Sequence, residues 1–277
     1  MMTYRRLYNE LKEKALAAGK EESAIKIILM ETAGFTFTDL VMNFDSPVPA
    51  GILDRIIKNS DDYIENNIPV QYIFGVAYFY GMRLMVNGAV LIPRPETEVL
   101  VEIAIERLRS FKNPRTIDIG CGSGAIALAL KKHLPGSEIT AVDISEAALS
   151  VAKANAKALD LDIDFILSDL FSAVVGEYDA IVSNPPYLAG EEEAEPIVRD
   201  NEPPGALYAP DGGLHFYERI FREAPRHLKK PGLIVLEIPT DKREKITALA
   251  TEAGLYRRIG VEKDLSGRDR VMIIEYE

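Results

Sequence analysis

Asn184-Pro185-Pro186-Tyr187 is a run of four residues whose groups could hold a planar NH2 group. It follows Tyr178-Asp179-Ala180-Ile181-Val182-Ser183, an apolar run with the character of a buried strand. At the carboxyl end of such a strand, the side-chain carbonyl of Asn184 and the backbone carbonyl of Pro185 offer two oxygens to one nitrogen. Neither proline has an N–H and each ring fixes φ, so the turn is stiff and its carbonyls are aimed. Tyr187 adds an aromatic face. The tetrapeptide suits an amide or an exocyclic amine, although a proline-rich turn that merely ends a strand has the same composition.

A second constellation lies upstream. Asp118-Ile119-Gly120-Cys121-Gly122-Ser123-Gly124 joins an expected strand at 116–119 to an expected helix at 125–133. Glycines permit a tight turn and close approach of a ligand to backbone. The stretch also satisfies a dinucleotide fingerprint, with Ala125 in the place of the third glycine. Asp143 ends the next expected strand, where a carboxylate can take both hydroxyls of a ribose. NAD and S-adenosylmethionine both fit these two features. Cys121 reads as a loop filler rather than a reactive thiol. The third strand ends in Ser168-Asp169-Leu170-Phe171. Asp169 could accept from an adenine amino group while Leu170 or Phe171 packs on the ring, or Asp169 could simply cap a helix. Hydride transfer has no evident use for Asn-Pro-Pro-Tyr, whereas methyl transfer to a planar nitrogen does.

The elements that must carry these residues alternate. Strands are expected at 116–119, 139–143, 164–167, 180–183, 233–238, 256–261 and 270–275, and helices at 96–108, 125–133, 146–159, 216–228 and 242–254, with Ser145 as an N-cap. Such alternation implies an α/β fold with a mostly parallel, doubly wound sheet, which binds ligands beyond the carboxyl ends of its strands. Residues 3 to about 75 instead show helical stripes: Leu7, Leu11, Ala15 and Ala18, then Ala24, Ile25, Ile28 and Leu29, then Ile52, Leu53, Ile56 and Ile57. A small bundle is expected there. Between the two, residues 76–92 suggest a β-hairpin or a pair of short strands: Tyr78-Phe79-Tyr80, then Gly81, then Met82 to Val86, with Asn87-Gly88 as a turn before Ala89-Val90-Leu91-Ile92.

The 277 residues are 47% hydrophobic and 27% charged, enough for one large or two modest domains with a full core. The single cysteine excludes an intramolecular disulfide, which fits a reducing, cytoplasmic setting. No signal peptide or membrane span is read. The three histidines, His133, His215 and His227, lack metal-ligand spacing, so no metal is expected. A net charge of −11 disfavours a general nucleic-acid binder.

These motifs together resemble the HemK/PrmC family of glutamine-N5 methyltransferases. The likeness covers nearly the whole chain: Gln71-Tyr72-Ile73-Phe74-Gly75, Leu91-Ile92-Pro93-Arg94-Pro95-Glu96-Thr97-Glu98, the glycine loop, Val142-Asp143, Asn-Pro-Pro-Tyr, Glu202-Pro203, Ala206-Leu207, Asp211-Gly212-Gly213 and Ser266-Gly267-Arg268-Asp269-Arg270. The resemblance implies a substrate-recognising helical bundle at 1–75, a hairpin linker at 76–92, and a class I (Rossmann-like) methyltransferase domain with a seven-stranded sheet at 93–277. It implies S-adenosyl-L-methionine as donor, S-adenosyl-L-homocysteine as product, and the Gln of a Gly-Gly-Gln loop in peptide chain release factors as acceptor. The family's cofactor contacts would fall on Gly120, Cys121, Gly122, Ser123, Gly124, Asp143, Leu170 and Asn184, beside Asp169, which the residues themselves suggest. Substrate contacts would fall on Asn184, Pro185, Pro186 and Tyr187, with Asn184, Pro185 and Tyr187 acting in catalysis. Two positions depart from the family pattern: Asn201 stands where an aromatic often precedes Glu202, and Leu170 where a large aromatic is frequent. Arg94 and Thr97 could touch a ligand or only brace the linker.

Three other readings share these motifs. An adenine-N6 DNA methyltransferase would use the same amine grip, but Glu191, Glu192, Glu193 and Glu195 beside the site would repel phosphate and suit a basic protein partner. A ribosomal-protein glutamine methyltransferase differs only in its recognition surface. A non-catalytic donor-binding module has no need of the amine grip. A monomer is expected.

Overall fold

A computed structural model describes residues 1–254 and 256–277. The chain divides into two compact units, one of residues Met1–Gly75 with Pro196–Asn201 and one of Val76–Glu195 with Glu202–Glu277. None of the helices among the described residues is long and apolar enough to cross a membrane.

The first unit is helical: α1 (Tyr4–Ala17), α2 (Glu22–Ala33), α3 (Phe37–Met42), α4 (Ala50–Ile64) and α5 (Val70–Phe74). Thr3 opens α1 by accepting from the Arg6 N–H at 3.3 Å, and Thr36 and Asp39 form a reciprocal capping box on α3. Gly34, left-handed at φ 69°, ends α2. Leu7, Leu11, Ala15, Ile25, Ile28, Leu29 and Ile56 share one core. Two stripe residues fall outside it: Ala18 is the C-cap of α1, and Ile57 is 40% exposed. Helix α4 instead turns Ile56, Ser60, Tyr63 and Ile64 inward, a spacing that follows the 3.6-residue period. Pro196–Asn201, which contains the short α9 (Pro196–Arg199), joins this unit rather than the larger one in which the sequence reading put it. Asn201 Nδ2 donates to the Asn67 and Ile197 carbonyls at 2.8 and 2.9 Å.

The second unit begins with a hairpin, β1 (Val76–Phe79) and β2 (Met82–Met85). Its turn is Tyr80-Gly81, both left-handed at φ 47° and 69°, so the hairpin closes at Gly81, and Asn87-Gly88 makes a separate turn in which the Val90 N–H donates to the Asn87 carbonyl at 3.1 Å. Ala89–Ile92 is not a strand; it is a turn followed by irregular chain. Nor is the hairpin a free linker, because Phe79, Met82 and Leu84 sit in the unit's core. Asn155 pairs with both backbone groups of Met85, at 2.6 and 3.0 Å, and donates to the Ser123 carbonyl at 3.0 Å.

The remaining elements are α6 (Pro95–Leu108), β3 (Arg115–Ile119), α7 (Ala125–His133), β4 (Glu138–Asp143), α8 (Glu146–Leu159), β5 (Asp164–Leu167), β6 (Tyr178–Ser183), a one-turn α10 (Pro210–Gly213), α11 (His215–Glu223), β7 (Leu228–Glu237), α12 (Arg243–Glu252), β8 (Tyr256–Lys263) and β9 (Asp269–Tyr276). Helix α11 stops at Glu223, well before the expected Leu228, because Pro225 cannot continue it; Leu228 starts β7 instead. The seven strands run in the order β5-β4-β3-β6-β7-β9-β8, parallel except for the two pairings of β9. Alternation along each strand divides the core in two. Ala141, Ala180 and Val182 meet Leu100, Leu128 and Ala152 on one face, while Ile119, Val142 and Ile181 meet Tyr217, Phe221 and Ile246 on the other. The chain leaves β3 first toward β4 and β5, then crosses back to β6, so strand order reverses between β3 and β6.

Candidate active site

The reversal opens a hollow beyond the carboxyl ends of β3, β4 and β6, lined by Gly120, Gly122, Asp143, Asp169, Leu170, Asn184, Pro185 and Pro186 among others. Register brings them together. Ile119 pairs with Val142 on one side and Ser183 on the other, so the next residues of all three strands share one rim. Ser183 Oγ donates to the Ile119 carbonyl at 2.6 Å and locks the junction.

Asn184 is tied from behind. Its Nδ2 donates to Thr97 Oγ1 at 3.1 Å, and Thr97 Oγ1 donates to Glu237 Oε2 at 2.6 Å. Thr97 lies in the first turn of α6, and Glu237 ends β7. The amide oxygen of Asn184 is then the end left for the hollow. Glu237 is buried; desolvation pushes its carboxyl up to about 7, against the opposing pull of Thr97 and Arg270.

The glycine loop fits a ligand with a ribose and a flexible tail. Gly120 and Gly122 are left-handed, and a Cβ on either would stand in open space, so the loop presents bare backbone. Asp143 accepts the Gly122 N–H on one oxygen at 2.8 Å and the Ser145 N–H on the other at 2.9 Å. One lone pair on each oxygen remains for a vicinal diol. Leu170 is left-handed at φ 48°, a costly conformation for a branched side chain. Ser168 Oγ holds it by donating to the Leu170 carbonyl at 2.8 Å.

The Methyltransferase small domain family matches residues 96–201. A release factor glutamine methyltransferase of Streptococcus pneumoniae is 37% identical over 277 residues, 99% of each chain. One from Bacillus subtilis is 37% identical, covering 92% of this chain and 91% of its own. Among solved structures, a 16S rRNA methyltransferase of T. thermophilus superposes with a TM-score of 0.55 at 20% identity, over 73% of this chain and 50% of that one, a likeness of fold. This chain belongs to the release factor glutamine methyltransferase family.

In this member of the release factor glutamine methyltransferases, several residues singled out from sequence stand away from the hollow. Cys121 is buried in the core, and burial pushes its thiol well up, as a loop filler requires. Ser123 is buried and offers its carbonyl to Asn155. Gly124 serves packing: a Cβ there would meet Ala152 Cβ at 3.2 Å. Tyr187 does not line the hollow; it is partly buried, packed against the core that holds Tyr217 and Phe221, and its carbonyl accepts from Lys242 Nζ at 2.8 Å. Phe171 is buried and stacks on His227, so Leu170 alone of that pair reaches the hollow. No helix follows Asp169; its carboxylate instead takes Arg219 Nη1 at 2.9 and 3.2 Å.

Other lining residues were missed. Ile144, 72% exposed, directly follows Asp143, and an apolar residue just past an acidic strand end was a readable signal. Val90 and Leu91 line the hollow from the turn and irregular chain where a strand is expected. Phe216 reaches the hollow from α11 with no local signal. Arg94 and Glu202 form a close ion pair, and Glu202 Oε2 also accepts the Ile92 N–H at 3.0 Å. The pair clasps the wall formed by Leu91 to the wall formed by Pro203.

Proposed function

We propose that this chain transfers a methyl group from S-adenosyl-L-methionine to the side-chain amide nitrogen of the Gly-Gly-Gln glutamine in peptide chain release factors. The observation that carries this reading is the Asn184 amide on the rim of the glycine-lined hollow, with its NH2 already committed to Thr97. Only its oxygen is then offered to an incoming NH2 group.

S-adenosylmethionine supplies an electrophilic methyl on a sulfonium sulfur and leaves as S-adenosylhomocysteine. Asp143 would hold its ribose hydroxyls, the backbone of Gly120 and Gly122 would lie against its tail, and Leu170 and Ile144 would flank its base. Asn184 Oδ1 and the Pro185 carbonyl would accept the two N–H groups of the glutamine amide and orient its nitrogen. As that nitrogen becomes positive, both hydrogen bonds strengthen, so they favour the transition state over the ground state. The methylated amide sheds its proton readily, and the chain need supply no general base.

The acidic segment Glu191–Glu193 supports a protein substrate over a nucleic acid, since it would repel phosphate. The helical unit is assigned to release-factor recognition; Phe37 and Met42 of α3, 62% and 78% exposed, support that assignment. The test is mass spectrometry of a release factor after incubation with enzyme and donor. One methyl on the Gly-Gly-Gln glutamine is expected. An unmodified glutamine, or methylation of DNA adenine instead, would refute it.

A further inference from the structure

We infer that Thr97 and Glu237 are positioning residues that select which end of the Asn184 amide faces the hollow. The inference deepens the methyl-transfer reading and rests on it. An asparagine amide is nearly symmetric in shape, so packing alone cannot choose between its oxygen and its nitrogen; hydrogen-bond partners must. Thr97 supplies that choice. Its hydroxyl has one proton, and the 2.6 Å bond to Glu237 Oε2 consumes it. Toward Asn184 the hydroxyl can therefore only accept, and the Asn184 NH2 must turn to it. Were the amide reversed, its NH2 would meet the NH2 of a glutamine substrate, donor against donor.

The relay is built into the fold. Thr97 and Glu237 are 5% and 2% exposed, so water cannot replace either partner. Tyr217 fixes the backbone of Glu237 by donating to its carbonyl at 2.8 Å. Arg270 Nη1 lies 3.9 Å from Glu237 Oε1, and the same guanidinium is held by Asp264 at 3.3 Å. That cation favours the ionised, acceptor-only form of Glu237. Thus Pro-Glu-Thr-Glu near residue 97 and Arg-Asp-Arg near residue 270, which bring no side chain to the rim, converge behind one asparagine. If Glu237 takes up a proton it can donate to Thr97, whose own proton is then freed toward Asn184. Burial pushes Glu237 up to about 7, so this reversal falls near neutrality. The charged and titratable groups around Glu237 are Arg270, Arg94, Glu96, Tyr187 and Tyr217.

The test compares Thr97→Val, which keeps shape and removes the hydroxyl, with Thr97→Ser, which restores it. Thr97→Val is expected to lower kcat by roughly 10- to 100-fold, with donor Kd within about 2-fold of wild type. Thr97→Ser should return kcat to within about 3-fold of wild type. The wild-type rate should rise with pH through neutrality, and this rise should vanish in Thr97→Val. Side-chain amide 15N–1H spectra, with the Asn184 pair assigned by its loss in Asn184→Ala, should show that pair shifted in Thr97→Val and restored in Thr97→Ser. A Thr97→Val enzyme with wild-type kcat, or a folded Thr97→Ser as impaired as the valine variant, would overturn the inference. So would an Asn184 amide pair unmoved by Thr97→Val. Failure of the wild-type enzyme to methylate a release factor would instead sink the reading of the reaction, and the spectra would still decide the orientation.

Discussion

Replacing Asn184 by alanine separates chemistry from folding. Among the described residues the side chain makes one hydrogen bond, to Thr97 at 3.1 Å. Removing it leaves Thr97 still bonded to Glu237 at 2.6 Å, so no buried hydroxyl is orphaned. The stability cost is therefore that of a single hydrogen bond, about 1 kcal/mol. Catalysis loses more. One of two acceptors that strengthen on the developing ammonium-like nitrogen disappears, and loss of one such aimed partner lowers turnover by about 100-fold. At 1.36 kcal/mol per decade that is ~2.7 kcal/mol of transition-state stabilisation. Because Asp143, Gly120 and Gly122 are untouched, donor affinity should hold within about 3-fold. Steady-state kinetics with labelled donor and release factor, together with calorimetric donor binding, measure both quantities. The Thr97→Val/Asn184→Ala double variant should be no worse than Asn184→Ala alone, since Thr97 acts only through Asn184. A folded Asn184→Ala enzyme with kcat within about 3-fold of wild type would refute the reasoning. Equal losses in kcat and donor affinity would move Asn184 from the substrate to the donor.

Four further outcomes are expected. Asp143→Ala removes a diol acceptor and also the brace on Gly122 and Ser145, so donor Kd should weaken by about 100-fold in a calorimetric titration; unaltered affinity would exclude Asp143 from the donor site. Arg94→Ala leaves the Glu202 carboxylate, 1% exposed, with the Ile92 N–H as its one partner among the described residues, and should cost about 3 kcal/mol in urea unfolding, an expectation that an unshifted midpoint would contradict. Gly213→Ala puts a Cβ at a left-handed position, 2.1 Å from the Tyr187 carbonyl oxygen and 2.9 Å from Lys242 Nζ; it should displace the turn after Pro186 and lower both the melting temperature and turnover, and wild-type values for both would show that the turn yields freely. Stability should fall between about pH 4 and pH 7, because Asp118 and Glu237 each have folded values raised to about 7 from ordinary values of 3.8 and 4.5. Each holds its proton more tightly folded than unfolded, so its contribution is complete below the ordinary values and is lost as pH rises through 7. The loss is about 4 kcal/mol for Asp118 and about 3 kcal/mol for Glu237; Glu237→Gln should remove the smaller share, and a flat unfolding free energy across this window would refute the assignment.

What could be read from the chain alone was local. The 3.6-residue stripes of α1 and α2, the strand–helix alternation after residue 115 and the Ser145 cap, whose Oγ accepts from the Ala148 N–H at 3.2 Å, depend on neighbours a few positions apart. So does the stiffness of Asn-Pro-Pro, which the two rings impose wherever the turn is placed. Turn chemistry was local too: Gly81 closes the hairpin, and Asn87-Gly88 makes a second turn in which the Val90 N–H donates to the Asn87 carbonyl at 3.1 Å, although no strand follows it. Tertiary structure decided which face each site residue shows. Gly120 and Gly122 open on the hollow while Gly124, in the same loop, is spent on Ala152, and Tyr187 packs, partly buried, against the core although Asn184 and both prolines line the hollow. It also decided that Thr97 and Glu237 stand behind Asn184, across 87 residues of chain in one bond and 140 in the other. Spacing along a sequence encodes periodicity within an element. Contacts between elements follow from strand order, and placing β3 between β4 and β6 is a choice made by the whole core burying its two faces at once.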